Sequence, residues 1–378
     1  MIKIIADDKI PFLKGVLEPF AEVIYLPGSS ITANDLADTD ALIIRTRTKC
    51  NESILKGTKV QFIGTATIGF DHIDTVYCER NNIQWTNAPG CNSSSVQQYV
   101  AAALLKLAEE YHIDLKKLTI GIIGVGNVGS KVERIARSLG MNVLLNDPPR
   151  ERREGKADFV TFDTILKESD ILTLHVPLSN TGKDKTFHLF NEEIFCKTAK
   201  APWLINTSRG EVIETQSLKG AIRSGIIAGV ILDVWENEPD IDPELLSSAF
   251  IATPHIAGYS VDGKANGAAM VVNSLCRHFD LPLVDWYPSG VPEPENPHLT
   301  IACSGKSEEE IIREAVMLAY DISSDDKNLR DYPSTFEKQR GEYRLRREFP
   351  AFTVKLAGGS VRVMKMLGEI GFIVKQEG

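Results

Sequence analysis

The chain has 378 residues, 43% hydrophobic and 25% charged, which is material for two or three globular domains. With 51 acidic against 42 basic side chains the formal charge is -9, which excludes the coating of nucleic acid or of an anionic membrane surface as its main work. No run of about 18 apolar residues occurs, the start Met1-Ile-Lys-Ile-Ile-Ala-Asp-Asp carries no leader pattern, and the six cysteines lack metal-ligand or C-x-x-C spacing, so a reducing, cytoplasmic setting without a metal is expected.

In chain order, apolar runs at 2–5, 23–26, 41–44, 60–63 and 83–86 predict buried strands, with crossover helices over 12–20 and 71–80. Such alternation makes a parallel sheet. Residues 93–111, opened by serines and rich in alanine and leucine, predict one long helix suited to joining two lobes. A second α/β series starts at Thr119 and continues through 143–146, 171–174, 203–206, 230–234 and 250–252, the doubly wound layout. A helix over 261–279 then returns to the first lobe. Pro282, Pro288, Pro292, Pro294 and Pro297 mark a linker, and beyond it a small C-terminal α+β module is expected. Its residues 308–320 are apolar at helical spacing, a face that a twin could bury.

The string Gly124-Val-Gly126-Asn-Val-Gly129 stands between the apolar run 119–123 and the helical stretch 130–139. Gly124 permits a tight turn, Gly126 lets the backbone approach a pyrophosphate, and Gly129 allows close packing of helix on strand. N–H groups at the helix start, beginning near Val128, are free for the anion. Asp147 closes the next apolar run, where a carboxylate accepts from a ribose diol and repels a 2′-phosphate. NAD is therefore expected rather than NADP, although Arg150, Arg152 and Arg153 stand close by.

Downstream come Arg209 in Asn206-Thr-Ser-Arg-Gly, Glu238 in Trp235-Glu-Asn-Glu-Pro, and His255 in Thr253-Pro-His-Ile-Ala-Gly. Oxidising a 2-hydroxy acid needs a base of near-neutral pKa, which histidine supplies. A carboxylate on the far ring nitrogen fixes the tautomer, the role expected of Glu238. Arg209 suits a substrate carboxylate, since its fork makes two parallel bonds that lysine cannot match. Asp233, closing the strand before Trp235, either meets a nicotinamide amide or caps its own loop.

Taken together, the glycine loop, the Ser-Arg209-Gly turn, Leu232-Asp-Val-Trp-Glu-Asn-Glu238-Pro and Pro254-His255-Ile-Ala-Gly resemble the D-isomer-specific 2-hydroxyacid dehydrogenases over residues 1–285. The resemblance implies two Rossmann-like doubly wound parallel-sheet lobes plus a small C-terminal dimerisation domain. The substrate lobe would be 1–95 with 260–286, the NAD domain 96–259 and the dimerisation domain 287–378, in a homodimer. It also implies catalysis by Arg209, Glu238 and His255. NAD would be held by Asp147, Val176, Thr207, Ser208, Asp233 and Gly258 beside the glycine loop, and substrate by Thr46, Thr67 and Tyr259. Val176 stands where the family often has threonine, and Thr46 where serine is common.

Within the family, Gly64-Thr-Ala-Thr67-Ile-Gly, Ala88-Pro-Gly-Cys-Asn-Ser and His255-Ile-Ala-Gly-Tyr259 are similar to the branch that oxidises a phosphorylated four-carbon 2-hydroxy acid on the route to vitamin B6. Such a substrate needs an anion site. Arg45, Thr46, Arg47 and the loop 65–69 follow adjacent predicted strands and offer cations, hydroxyls and N–H groups. A second basic cluster, Arg344, Arg346 and Arg347, is expected on a surface strand or helix, or reaching a partner's active site. Two other readings stay open, a dehydrogenase of D-3-phosphoglycerate and a dehydrogenase-shaped corepressor that senses NAD.

Overall fold

The computed structural model describes residues 1–155 and 158–376. They fall into two compact units, one made of Met1–Asn92 with Ser260–Pro292, the other of Ser93–Tyr259 with the chain from Glu293 onward. No helix among the described residues is long and apolar enough to cross a membrane.

The first unit is built on the parallel strands β1 (Ile2–Asp7), β2 (Ala21–Leu26), β3 (Ala41–Ile44), β4 (Phe62–Thr65) and β5 (Gln84–Thr86), in the order β2-β1-β3-β4-β5. β3 and β4 are buried at every residue, which is why they read as unbroken apolar runs rather than alternating ones. The helix Val261–His278 lays Ala268, Val271, Val272 and Leu275 against Ile4, Ile43 and Phe62. The crossover expected as a helix over 12–20 is instead a series of turns. Phe12 at φ 65° and Gly15 at φ 84° take left-handed backbone there, so Leu13 and Leu17 reach full burial without a helix. The second expected crossover is shorter than its span, a helix at Thr75–Arg80 started by the Asp74 cap.

The second unit carries β6 (Thr119–Ile123), β7 (Asn142–Asn146), β8 (Ile171–Leu174), β9 (Trp203–Asn206), β10 (Gly229–Leu232) and β11 (Ile251–Ala252) in the parallel order β11-β10-β9-β8-β6-β7. Chain order reverses beside β6, the place where open α/β sheets bind ligands at their strand ends. A further parallel sheet, β12 (His298–Ala302), β13 (Thr353–Ala357) and β14 (Ile373–Gln376), forms from the C-terminal stretch.

The helix Ser93–Tyr111 is buried almost throughout, because it is apolar nearly all round. It is the centre of the second unit rather than a bare connector. Its Leu104, Leu105 and Leu107 share one apolar cluster with Ile312 and Val316 of the helix Glu308–Ala319, Val354 and Leu356 of β13, and Leu367 of the helix Val361–Ile370. The apolar face at 308–320 is thus covered within the unit. Because this core is shared, Ile312→Ala should cost about 2–5 kcal/mol and lower one common unfolding transition of the unit. Calorimetry resolving a separate early melt of the C-terminal stretch would contradict the shared core.

Candidate active site

Three parallel strands side by side end in the loops that carry the chemistry. After β9, Asn206 organises the turn: its Oδ1 accepts the Ser208 N–H at 3.0 Å and hydroxyl at 2.8 Å, and its Nδ2 donates to the Arg209 carbonyl at 2.9 Å. The half-buried Arg209 side chain donates from Nη1 to the Ser208 carbonyl at 2.8 Å. At Gly210 the backbone touches the loop after β10 so closely that a Cβ would stand 1.9 Å from the Trp235 carbonyl carbon. Only glycine lets these two loops meet.

The loop after β10 folds on itself, the Trp235 N–H donating to Glu238 Oε1 at 2.9 Å. This leaves Glu238 Oε2 for His255 Nδ1, 2.7 Å away. Ring and carboxyl are both largely shielded, 28% and 18% exposed. His255 holds left-handed backbone, φ 57°, which a non-glycine residue adopts only when its surroundings impose it. The imposition comes from Asp233, which is 1% exposed. Its carbonyl accepts the His255 N–H at 2.7 Å, and its carboxylate accepts the Thr253 hydroxyl at 2.6 Å and the amides of Ile256 and Ala257 at 2.8 and 2.9 Å. Of the two roles open to Asp233 on sequence, the structure displays loop capping.

Glu236, two residues before Glu238, has its own imidazole. Its Oε1 lies 2.7 Å from His188 Nε2, and its Oε2 accepts the Thr215 N–H. The two acids of Trp235-Glu-Asn-Glu are thereby paired with different rings, Glu236 with His188 and Glu238 with His255.

The glycine loop has the shape a dinucleotide requires. Gly124 sits at φ 87° with a Cβ excluded by the His175 carbonyl at 2.5 Å, and a Cβ on Gly129 would strike the Gly124 carbonyl oxygen at 2.0 Å. At Gly126 nothing lies within 4 Å of that position, which leaves the backbone open to a ligand. Val128 caps the helix Gly129–Ser138. Asp147 accepts the Val125 N–H at 2.8 Å and the Arg150 N–H at 2.9 Å, fixing the carboxylate beside the loop. The arginines that follow are engaged elsewhere: Arg150 with Glu154 and the Val125 carbonyl, Arg152 with Asp184, Arg153 with Glu154. The donor set fits NAD, with a carboxylate fixed beside the glycine loop and each neighbouring guanidinium in an ion pair.

Sequence reading missed His175. It is half-buried, held between Thr173 Oγ1, 2.9 Å from Nε2, and Thr207 Oγ1, 3.3 Å from Nδ1, next to Val176. Burial drives its pKa down to about 3. The available signal was its place one residue past an apolar run, the same position that marks the other loops. Among the described residues no group of three His, Cys, Asp or Glu is placed to hold a metal ion.

In the first unit the candidate substrate residues stand on loops after the adjacent strands β3 and β4. Thr46 and Arg47 are exposed, and Arg45 donates to the Lys9 carbonyl at 3.4 Å. Thr67 Oγ1 lies 2.7 Å from Thr65 Oγ1, which in turn contacts His72 Nε2 at 3.1 Å. The C-terminal basic cluster is not a surface strand or helix. Arg346 is 3% exposed, and Arg344 binds Asp325.

Comparison with known proteins agrees with this geometry. Residues 92–257 match the family described as D-isomer specific 2-hydroxyacid dehydrogenase, NAD binding domain, and residues 291–371 match a domain of unknown function. Erythronate-4-phosphate dehydrogenase of Bacteroides fragilis is 50% identical over 354 residues, 93% of this chain and 99% of that protein. The chain belongs to the erythronate-4-phosphate dehydrogenase family. It is accordingly an NAD-dependent dehydrogenase. Among solved structures, D-lactate dehydrogenase from Aquifex aeolicus with NAD and lactic acid is 26% identical at a TM-score of 0.60, covering 74% of this chain and 95% of that one. NAD-bound 3-phosphoglycerate dehydrogenase of Entamoeba histolytica is 25% identical at 0.62, covering 77% and 99%.

Two outcomes follow from this family member's site. Gly210→Ala should separate the loops after β9 and β10 and cut kcat by about 100-fold, read by steady-state kinetics on protein whose NADH affinity is retained. For His175, the folded state resists protonation down to about pH 3 while the unfolded chain takes a proton near its ordinary value of 6.5. Unfolded chains then bind more protons between those limits, so stability falls as pH drops through that window. His175→Gln should flatten this fall, measured as urea midpoints from pH 7 to 4.

Proposed function

We propose that this chain oxidises 4-phospho-D-erythronate to 3-hydroxy-2-oxo-4-phosphooxybutanoate, a step toward pyridoxal 5′-phosphate. The observation that carries the reading is the 2.7 Å contact of His255 Nδ1 with Glu238. It leaves Nε2 as the nitrogen free to take the proton of the substrate's 2-hydroxyl. Glu238 holds the ring and stabilises the imidazolium that forms. Arg209 binds the substrate carboxylate through its planar fork and draws charge onto the 2-oxygen as the carbonyl develops. Bound NAD accepts the hydride from the same carbon. The loop Gly124–Gly129, with Val128, would hold its pyrophosphate and Asp147 its ribose diol. Val176, Thr207, Ser208, Asp233 and Gly258 line the strand ends beside that loop.

Support for a phosphorylated substrate comes from the loops after β3 and β4, where Arg45, Thr46, Arg47 and Thr67 combine cations with hydroxyls, and from Tyr259 four residues past His255. The protein acts in the cytoplasm as a homodimer. Leu318, Tyr332, Leu345, Val361 and Ile373, at least half exposed on the C-terminal stretch, are apolar or aromatic side chains available for that contact.

The test is NADH formation with 4-phospho-D-erythronate. Wild-type protein should turn it over, His255→Gln should lose about 100- to 10,000-fold in kcat, and Arg209→Lys should raise KM as well as lower kcat. Turnover of 3-phosphoglycerate with none of the four-carbon acid would overturn the substrate assignment.

A further inference from the structure

Beyond the reaction centre, the C-terminal stretch, whose residues 291–371 match a domain of unknown function, reaches back to the loop of His255. Three of its side chains, spaced three residues apart, touch the loop that bears His255. Arg346 donates from Nη2 to the Ala257 carbonyl at 2.5 Å and to the Ser95 carbonyl at 3.3 Å. Tyr343 sets its ring edge-on to Tyr259, centroids 6.1 Å apart at 79°. Arg340 lies over the Tyr259 ring at 5.9 Å while its Nη1 binds Glu337 at 2.8 Å.

These contacts are themselves held. The Arg346 guanidinium stacks 4.5 Å from the Tyr320 ring and 5.8 Å from that of Tyr343. Tyr320 and Tyr343 both donate their hydroxyls to Asp325, at 3.0 and 2.6 Å, and Arg344 closes the cluster on the other carboxylate oxygen. A buried guanidinium is a costly group to keep, tolerated when rings and carboxylates balance its charge. Here its one short bond goes to the catalytic loop, two residues from His255. Arg340 also lies within electrostatic reach of the acid that orients the ring. Burial lowers its pKa, and Tyr259, Glu238 and the ion-paired Glu337 together outweigh that effect and raise it.

We propose that the segment from Phe336 to Glu348 is a clamp for the catalytic loop, in which Arg346, with Tyr343 and Arg340, is a positioning residue that helps hold His255 against Glu238. Asp233 accepts the amide hydrogens of Ile256 and Ala257 and Arg346 donates to the Ala257 carbonyl, so the loop is held at its amides and at a carbonyl. The inference rests on His255 being the base, and misplacing a base by about 1 Å costs about 100-fold in rate.

The experiment uses full-length Arg346→Met, Arg346→Lys, Arg340→Met and, as a control in the same segment, Lys338→Ala, whose exposed ammonium pairs with Glu342 at 4.0 Å. Amide hydrogen exchange over residues 254–259 reads the clamp without any substrate, and kinetics with 4-phospho-D-erythronate read its consequence. We expect faster exchange at the loop and kcat lower by about 100-fold in Arg346→Met, with KM for NAD unchanged, part of both recovered in Arg346→Lys, and Lys338→Ala like wild type. A role confined to folding would slow turnover only in proportion to the protein unfolded, and that result, or unchanged loop exchange in Arg346→Met, overturns the clamp. Should Arg346→Met fail to fold, Arg346→Lys and Arg340→Met decide by the same two readouts. Wild-type protein inert toward 4-phospho-D-erythronate would reject the substrate reading while the exchange arm still judges the clamp.

Discussion

The Asp233 carboxylate accepts the hydroxyl of Thr253 and the amides of Ile256 and Ala257, and its carbonyl accepts the His255 amide. A single residue at the end of β10 thereby fixes the backbone on both sides of the imidazole. Burial raises its pKa, although the charge of His255 and the hydrogen bonds pull in the other direction. Hydrogen bonds to a shielded carboxylate are stronger than to one in water, and removing one partner leaves a costly buried charge. The left-handed conformation of His255 is affordable on those terms. Tyr99, from the middle of the long buried helix, reaches Thr253 at 2.8 Å and ties this arrangement to the core of the unit.

Legibility followed range. Strands covered on both faces, such as Ala41–Ile44 and Ile171–Leu174, were readable because their apolar runs are a local property. The glycine loop was readable because its spacing between strand and helix is local, although the contact that excludes a side chain at Gly124 comes from His175 after β8. Residues 12–20 misled because Leu13 and Leu17 have helical spacing, whereas left-handed backbone at Phe12 and Gly15 sets the path. Apolar spacing says which side chains are buried and leaves open how the chain brings them there.

Charge was harder to place than apolarity. Arg344, Arg346 and Arg347 look like a solvated run, and a charge run usually is one. The burial of Arg346 depends on Tyr320, Tyr343 and Asp325 arriving from separate helices and turns, which no short window of sequence contains. His175 escaped notice for a related reason. An isolated histidine beside threonines is ordinary, and its meaning comes from Thr207 approaching across two strands. The carboxylate pair behaves likewise, since Glu236 and Glu238 differ only in which imidazole the fold brings to each.

The apolar side of the catalytic loop carries the same argument into the core. Ile256 and Ala257 are fully shielded and belong to the cluster that contains Val354, Leu356 and Leu367 of the C-terminal stretch. Polar contacts alone would leave the loop free to slide along its bonds, and packing alone would leave the peptide groups unoriented. With both present, a shift of the C-terminal sheet or its helices transmits to the loop through a close-packed interior that yields little. The stretch that from sequence looks like an appended module thus shares its packing with the residues beside His255, and the geometry of that loop is fixed by the same contacts that stabilise the second unit.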